Sequence, residues 1–310
     1  MPPDNRYSIV LPLKLSSHYH HNELTRFICI LLPSLNKYLD IASVHEFIII
    51  CKPEEIKLVK NELGKQQSSL PINIISENLI LKGKVISKTK GWYIQQLLKL
   101  GIARRIKTNY YLVLDSDCFL TKPFDYEKLF HHEKLIMNSN SWKVHKNWWL
   151  NSANIMGIPF DILKEKPVIG VTPEILITSS VCDLLDFLTY KNEHLDWDEY
   201  LCTQKFTEFT LYWLFLIKSG LTNRYQKSGE PILLGNGLWR STYTYNFSLM
   251  FHLSPNNLIK ESKREQFIEK HISKTFENNN SYYFSLIQSN IKHLSIECIA
   301  NHINKHLDEQ

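Results

Sequence analysis

Short, continuous apolar runs alternate with amphipathic stretches along most of the chain. This is the pattern of strands covered on both faces by helices. Tyr7 to Leu13 (YSIVLPL) reads as a buried first strand, Phe47 to Cys51 (FIIIC) as a second, and Ile72 to Ile75 as a third. Leu24 to Leu39 reads as a helix that Pro33 must break or kink. Lys52-Pro53-Glu54-Glu55 opens another helix, with proline early and carboxylates in the first turn, and Gly64 closes it. Strand, helix, strand at this spacing predicts βαβ units and a parallel sheet. Gly91 to Ala103 is helical by pattern, Tyr110 to Leu114 (YYLVL) is a core strand running into Asp115, and Leu135 to Met137 is a short strand. Ser141 to Ile158, with Trp142, Trp148 and Trp149, reads as irregular. Phe206 to Ser219 is apolar nearly all round and predicts a buried helix. The polar, Lys-rich tail predicts helices over Glu261 to Lys270 and Ile291 to Lys305. The expected fold is α/β: a Rossmann-type mixed, mostly parallel sheet flanked by helices over residues 1–255. A helical C-terminal extension, residues 256–310, is expected to pack on the same domain.

Composition narrows the function classes. With 310 residues, 44% hydrophobic and 22% charged, the chain can bury a full core, which excludes disordered, collagen-like and coiled-coil classes. Its 36 Lys+Arg against 31 Asp+Glu leave a charge of +5 without a dense basic stripe, so nucleic acid is not an expected partner. The mild excess suits an anionic small molecule or an acidic membrane surface. Cys29, Cys51, Cys118, Cys182, Cys202 and Cys298 form no CxxC pair and sit mostly in apolar runs, which reads as reduced thiols and a cytoplasmic location. The N-terminus lacks the cationic and apolar regions of a signal peptide. The longest apolar stretch, Leu211 to Ile217, is far short of the ~18 residues that span a bilayer, which leaves peripheral association as the only membrane role expected.

The sharpest chemical feature is Asp115-Ser116-Asp117, directly after the strand YYLVL. Open α/β sheets bind ligands beyond the carboxyl ends of their strands. Two carboxylates one residue apart there can gather Mg²⁺ or Mn²⁺, hard cations that take oxygen ligands and leave room for phosphate oxygens. A second Asp-x-Asp, Asp196-Trp197-Asp198, lies in a polar run with no strand before it and reads as a solvated or capping cluster. Haloacid-dehalogenase-type phosphatases also place Asp-x-Asp after a strand, but they want Thr or Val four residues on, where this chain has Phe119. Neither a Walker A sequence nor GxGxxG is present.

Five segments carry a resemblance: Lys90 to Leu100 (KGWYIQQLLKL), YYLVLDSDCFLTKPF, Val171-Thr172-Pro173-Glu174, Thr207 to Tyr212 (TEFTLY) and Phe284 to Ser289 (FSLIQS). Together they resemble a domain-of-unknown-function family whose members are predicted to be GT-A-like nucleotide-sugar glycosyltransferases. The resemblance runs from about Tyr7 to Ser289. It implies a GT-A-like fold and a metal-dependent, inverting transfer of sugar from a nucleotide-diphosphate donor to a glycan or lipid-linked acceptor. It also implies that Asp117 binds the metal and that Asp115 touches the metal or the donor ribose. The donor is expected near Ile9 to Leu13, with Lys90 on the diphosphate, Gln95 on the nucleotide and Trp92 stacking on base or sugar. The plainer roles are a solvated lysine for Lys90, a helix-surface or structural hydrogen bond for Gln95, and packing for Trp92. Glu208, at the start of a buried helix, is the candidate general base, and helix capping is its plainer role. His252 and His271 are at workable distances for a third metal ligand, and neither carries a motif. Trp142, Trp148 and Trp149 have faces suited to an acceptor sugar, and core or surface packing is their plainer role. The rivals are a phosphatase or phosphotransferase using Asp115 as nucleophile, and a non-catalytic nucleotide-sugar or carbohydrate-binding protein.

Overall fold

The computed structural model describes residues 5–15, 23–163, 168–193, 195–226, 230, 232–239, 261–277, 279–289, 291 and 294–309. Its centre is a five-stranded sheet. β1 (Tyr7–Pro12), β2 (Val44–Cys51), β3 (Ile72–Ser76) and β4 (Tyr110–Val113) are parallel. A second sheet begins at β5 (Cys118–Leu120), and two short antiparallel pairs follow: β6 (Phe130–His131) with β7 (Lys134–Leu135), and β8 (Ser139–Asn140) with β9 (Val168–Ile169). β10 (Glu174–Ile177) then returns antiparallel beside β4, giving the order β10-β4-β1-β2-β3. β1 is buried along its whole length, and β2 from Phe47 onward, as their continuous apolar sequences require.

The helices cover this sheet. The first is α1 (Glu23–Arg26), one π-helical stretch (Phe27–Leu31) and α2 (Leu32–Tyr38) in direct succession. Pro33 therefore does not break the helix. It sits in the first turn of α2, where its missing N–H costs least, and the wider π turn precedes it. Next come α3 (Ile56–Leu63), α4 (Gly83–Lys88) and α5 (Gly91–Gly101). Then α6 (Lys146–Met156) replaces the expected irregular stretch: Trp149, Ser152, Ala153 and Met156 recur at helical spacing and are its buried face. The chain continues through α7 (Thr178–Lys191), α8 (Trp197–Leu201) and α9 (Glu208–Lys218). Thr207 caps α9, and every residue from Glu208 to Leu216 is buried, as the apolar sequence foretold.

The C-terminal part is not purely helical. α10 (Glu261–Thr275) and α11 (Ile296–Glu309) flank β12 (Tyr282–Ile287), which lies between β11 (Leu233–Leu238) and β5 in a three-stranded sheet. The second Asp-x-Asp is neither a solvated cluster nor a side-chain cap: Asp196 stands at the N-cap of α8 without a cap bond and is ion-paired to Lys82, and Asp198 is buried and accepts from the Lys82 N–H. No described helix is long and apolar enough to cross a membrane, and all six cysteines are free thiols. Gly101 ends α5 where Ile80 and Trp197 press in: a Cβ would lie 2.7 Å from an atom of each. Gly101→Ala should lower stability by about 1–3 kcal/mol. A denaturant midpoint equal to that of the parent would contradict this packing.

Candidate active site

β2 and β3 lie on one side of β1, and β4 lies on the other. The crevice between β1 and β4 is therefore the topological switch point of the sheet, where ligands enter beyond the strand ends. The Leu114 N–H extends the pairing of β4 with β1 by donating to the Val10 carbonyl at 2.9 Å. The chain then turns through Asp115-Ser116-Asp117 into β5, with the Cys118 N–H donating to the Asp115 carbonyl at 3.1 Å. The end of β12 holds this turn from far along the sequence. The Ile287 N–H donates to the Asp117 carbonyl at 3.2 Å, and the Ser289 N–H to Asp117 Oδ2 at 3.0 Å. FSLIQS is thus the strand that fixes the acidic turn in place.

A cavity of about 370 Å³ opens at this turn. Asp115, Asp117, Trp92, Gln95 and Glu208 all wall it, so most of the expected site residues are brought together. Asp117 is 8% exposed, and its Oδ1 is buried without a hydrogen-bond partner. Burial raises the Asp117 carboxyl to about 6; Asp115 adds to this, and Arg26 and the Ser289 N–H oppose it. Glu23, on α1, also faces the cavity. The Gln95 amide donates to both its oxygens, at 3.1 and 3.2 Å, and the Lys14 N–H donates as well. Burial nevertheless raises Glu23 to about 7, with Asp115 and Asp117 contributing. Arg26 is buried behind the two, and its charge is the one that offsets them.

Lys99 joins the two halves of the pocket. It is 3% exposed, and its Nζ lies 2.9 Å from Asp115 Oδ1, 3.0 Å from Glu208 Oε1 and 3.3 Å from Thr172 Oγ1. Burial works against this ammonium, but Asp115 and Glu208 together hold it above its ordinary range. The Gln96 amide, with its nitrogen toward the carboxylate, donates to both oxygens of Glu208. Burial still raises the Glu208 carboxyl, with Lys99 pulling the other way. Lys99 was not among the expected site residues, although as the one cation inside LLKLG it falls with Trp92, Gln95 and Gln96 at i, i+3, i+4 and i+7, one face of α5. Glu23 and Arg26 carried no signal of this kind, since Glu23 reaches the site through bonds from the Lys14 N–H and the distant Gln95 amide.

Other expected residues lie elsewhere. Leu13 is buried in the core, and its N–H continues the β1–β2 ladder by donating to Ile50. Lys90 is exposed at the N-cap of α5 and is not part of the cavity wall. Neither touches the pocket, because Pro12 ends β1 at the wall and α5 turns inward only from Trp92. His252 lies outside the described residues. His271 is half-buried on α10 away from the wall, and burial lowers it to about 4. Trp148 lines the cavity, Trp149 is a buried member of the wall, and Trp142 packs edge-on against Phe160. Among the described residues no group of three His, Cys, Asp or Glu is placed to hold a metal ion.

The raised carboxyls give a pH signature. Asp117, ordinarily at 3.8, keeps its proton in the fold to about 6, and Glu23, ordinarily at 4.5, to about 7. The folded metal-free protein therefore binds more protons than the unfolded chain between about pH 4 and 7, and its stability falls as pH rises through that window. For Asp117 the change is about 3 kcal/mol, from holding its proton to about 6 rather than 3.8. Melting curves of metal-free protein should show the decline from pH 4 to 7, and Asp117→Asn should flatten it. Parallel pH profiles for the two proteins would contradict the buried environment of Asp117.

A family model matches residues 4–310, nearly the whole chain. The chain belongs to DUF6492, a family of unknown function. This is the kind of family that the GWYIQQLLKL and LDSDCFL blocks pointed to. No curated protein matches the DUF6492 chain. Among solved structures it is similar to mouse xyloside xylosyltransferase 1 in its apo form, with TM-score 0.47 and 10% identity over 80% of this chain and 92% of that one. It is also similar to an active-site mutant of LgtC, with TM-score 0.48 and 9% identity over 96% and 95% of the two chains. The galactosyltransferase LgtC in complex with donor and acceptor sugar analogues gives TM-score 0.47 and 8% identity over 97% and 95%. These are loose likenesses between distant chains.

Proposed function

We propose that this chain is a divalent-metal-dependent glycosyltransferase. It moves a sugar from a nucleotide-diphosphate donor to a glycan or lipid-linked acceptor and works in the cytoplasm. The observation that carries the reading is Asp117: a carboxylate beyond the end of a central parallel strand, with one oxygen fixed by Ser289 and the other buried without a partner. Such an oxygen is costly unless a cation meets it. Mn²⁺ or Mg²⁺ fits a set made of Asp117 and Asp115, with the remaining positions left to donor phosphate and water. When bound, the cation supplies charge that stabilises the departing nucleoside diphosphate.

The protein's own groups then divide the work. Glu23, Asp115, Asp117 and Glu208 give the pocket four carboxylates against Lys99 on its wall, so an anionic donor is poorly received without the metal. Lys99 holds one oxygen of Asp115 and leaves the other for ligand. Pro12 and Gln95, at the β1 side of the wall, bound the space for the nucleoside, and Glu23 fixes the Gln95 amide there. Glu208 has a different task from the free base expected of an inverting enzyme. Its oxygens are held by Lys99 and Gln96, and it is 3% exposed, so it serves as the buried counterion that keeps Lys99 under Asp115.

The test is turnover. The full chain should release nucleoside diphosphate from at least one member of a panel of UDP-, GDP- and dTDP-sugars in Mn²⁺, and not in EDTA. Release of phosphate from a model phosphomonoester, with no sugar nucleotide consumed, would favour Asp115 as a nucleophile and overturn the proposal.

A further inference from the structure

The pocket is acidic inside, but its described rim is apolar and basic. Trp92 is 44% exposed and Val144 62% exposed, although both are large apolar side chains. Trp92 packs on Trp148 with ring centroids 5.7 Å apart, and Trp148 stacks on His145 at 4.0 Å. Trp92, His145 and Trp148 all line the cavity, so this aromatic column stands where the cavity wall meets solvent. Val144 immediately precedes His145 on the turn Trp142–His145. The two segments that build this rim, residues 88–95 and 139–150, contain Lys88, Lys90, Lys143 and Lys146 and no Asp or Glu.

All four lysines are exposed, and none has an ion-pair partner among the described residues. Lys82 and Lys84, a few residues earlier, differ in this respect, being held by Asp196 and Glu199. Asp161, on the turn that brings Phe160 to Trp142, already has an interaction of its own. Outside the acidic lining of the pocket, these four lysines flank in sequence the aromatic residues of the mouth and are not ion-paired there among the described residues. Exposed tryptophan and aliphatic tips among unpaired lysines are the chemistry of a surface that sits at the headgroup level of an anionic bilayer. Large apolar side chains are also exposed elsewhere, at Leu58, Leu79, Ile162, Tyr190 and Leu195, so what sets this rim apart is their combination here with unpaired lysines.

We infer that this rim docks the protein on an anionic lipid surface, with the pocket mouth facing the membrane. Docking itself is independent of glycosyl transfer. That the acceptor is carried by a lipid rests on the function proposed above, and would follow from a pocket that opens onto the bilayer.

Co-sedimentation of the full chain with vesicles tests docking without any turnover, so its outcome is separable from that of the sugar-nucleotide assay. The protein should pellet with vesicles of equal parts phosphatidylglycerol and phosphatidylcholine, and not with phosphatidylcholine alone. Binding should weaken as salt is raised. Lys143→Glu/Lys146→Glu should lower the vesicle affinity by about tenfold or more. Val144→Asp, which keeps every lysine, should lower it severalfold, and both variants should melt like the parent because the substituted side chains are exposed. Failure to pellet with phosphatidylglycerol vesicles overturns the inference. So does binding that both variants leave unchanged, or equal binding to phosphatidylcholine. Quenching of tryptophan fluorescence by soluble oligosaccharides, without vesicle binding, would instead make Trp92 a sugar-stacking platform.

Discussion

Asp117→Asn is expected to fold and to lose metal-dependent donor binding and turnover by on the order of a hundredfold or more. The amide oxygen of asparagine can still accept the Ser289 N–H, so the clamp between β5 and β12 survives. What disappears is the anionic oxygen that would meet the cation. Loss of a residue that merely orients a metal ligand typically costs about 10–100-fold, and a ligand itself should cost at least as much. The variant should also melt no lower than the parent in EDTA at pH 7, because it no longer buries a carboxyl whose proton is lost near 6. An Asp117→Asn protein that consumes sugar nucleotide in Mn²⁺ at the parent rate would remove this residue from the site.

The second large effect is on stability. Lys99→Met should destabilise the fold by about 3–5 kcal/mol, because it strands the Glu208 carboxylate in a buried position with only Gln96 to meet it. Adding Glu208→Gln should recover much of that loss, since a neutral amide needs no counterion there. The two substitutions should therefore be strongly non-additive in chemical denaturation, as expected for residues in direct contact. Simple addition of the two single losses would show that the pair does not act as a unit. Metal-dependent binding should be weakened in the double variant too, because Asp115 loses the contact that fixes its Oδ1.

The sequence carried the sheet well and the site unevenly. YSIVLP, FIIIC and YYLV are strands because they are buried on both faces, and burial of that kind leaves a continuous apolar run. Asp115 and Asp117 were legible for the same reason: a strand that obvious fixes where its carboxyl end lies. The helix Lys146–Met156 was obscured by tryptophans and polar residues that confuse its period. β12 is short, and its place between β11 and β5 depends on pairing partners far away in the chain. Glu208 was correctly placed at a helix start in the pocket, but its bonds to Lys99 and Gln96 come from a facing helix that one-dimensional spacing does not show. Leu13 and Lys90 were assigned by their neighbours in sequence, whereas contact with the pocket depends on which side chain of a turn faces inward.

The central claim is that Asp115 and Asp117 form a metal-dependent site for a nucleoside diphosphate. Calorimetric titration of UDP, GDP, dTDP and ADP into the full chain, in Mn²⁺ and again in EDTA, tests it most directly. At least one of these should bind in Mn²⁺, lose that binding in EDTA, and fail to bind Asp117→Asn under either condition. Binding that persists unchanged in EDTA, or in Asp117→Asn, would contradict the claim, as would the absence of binding by all four in Mn²⁺.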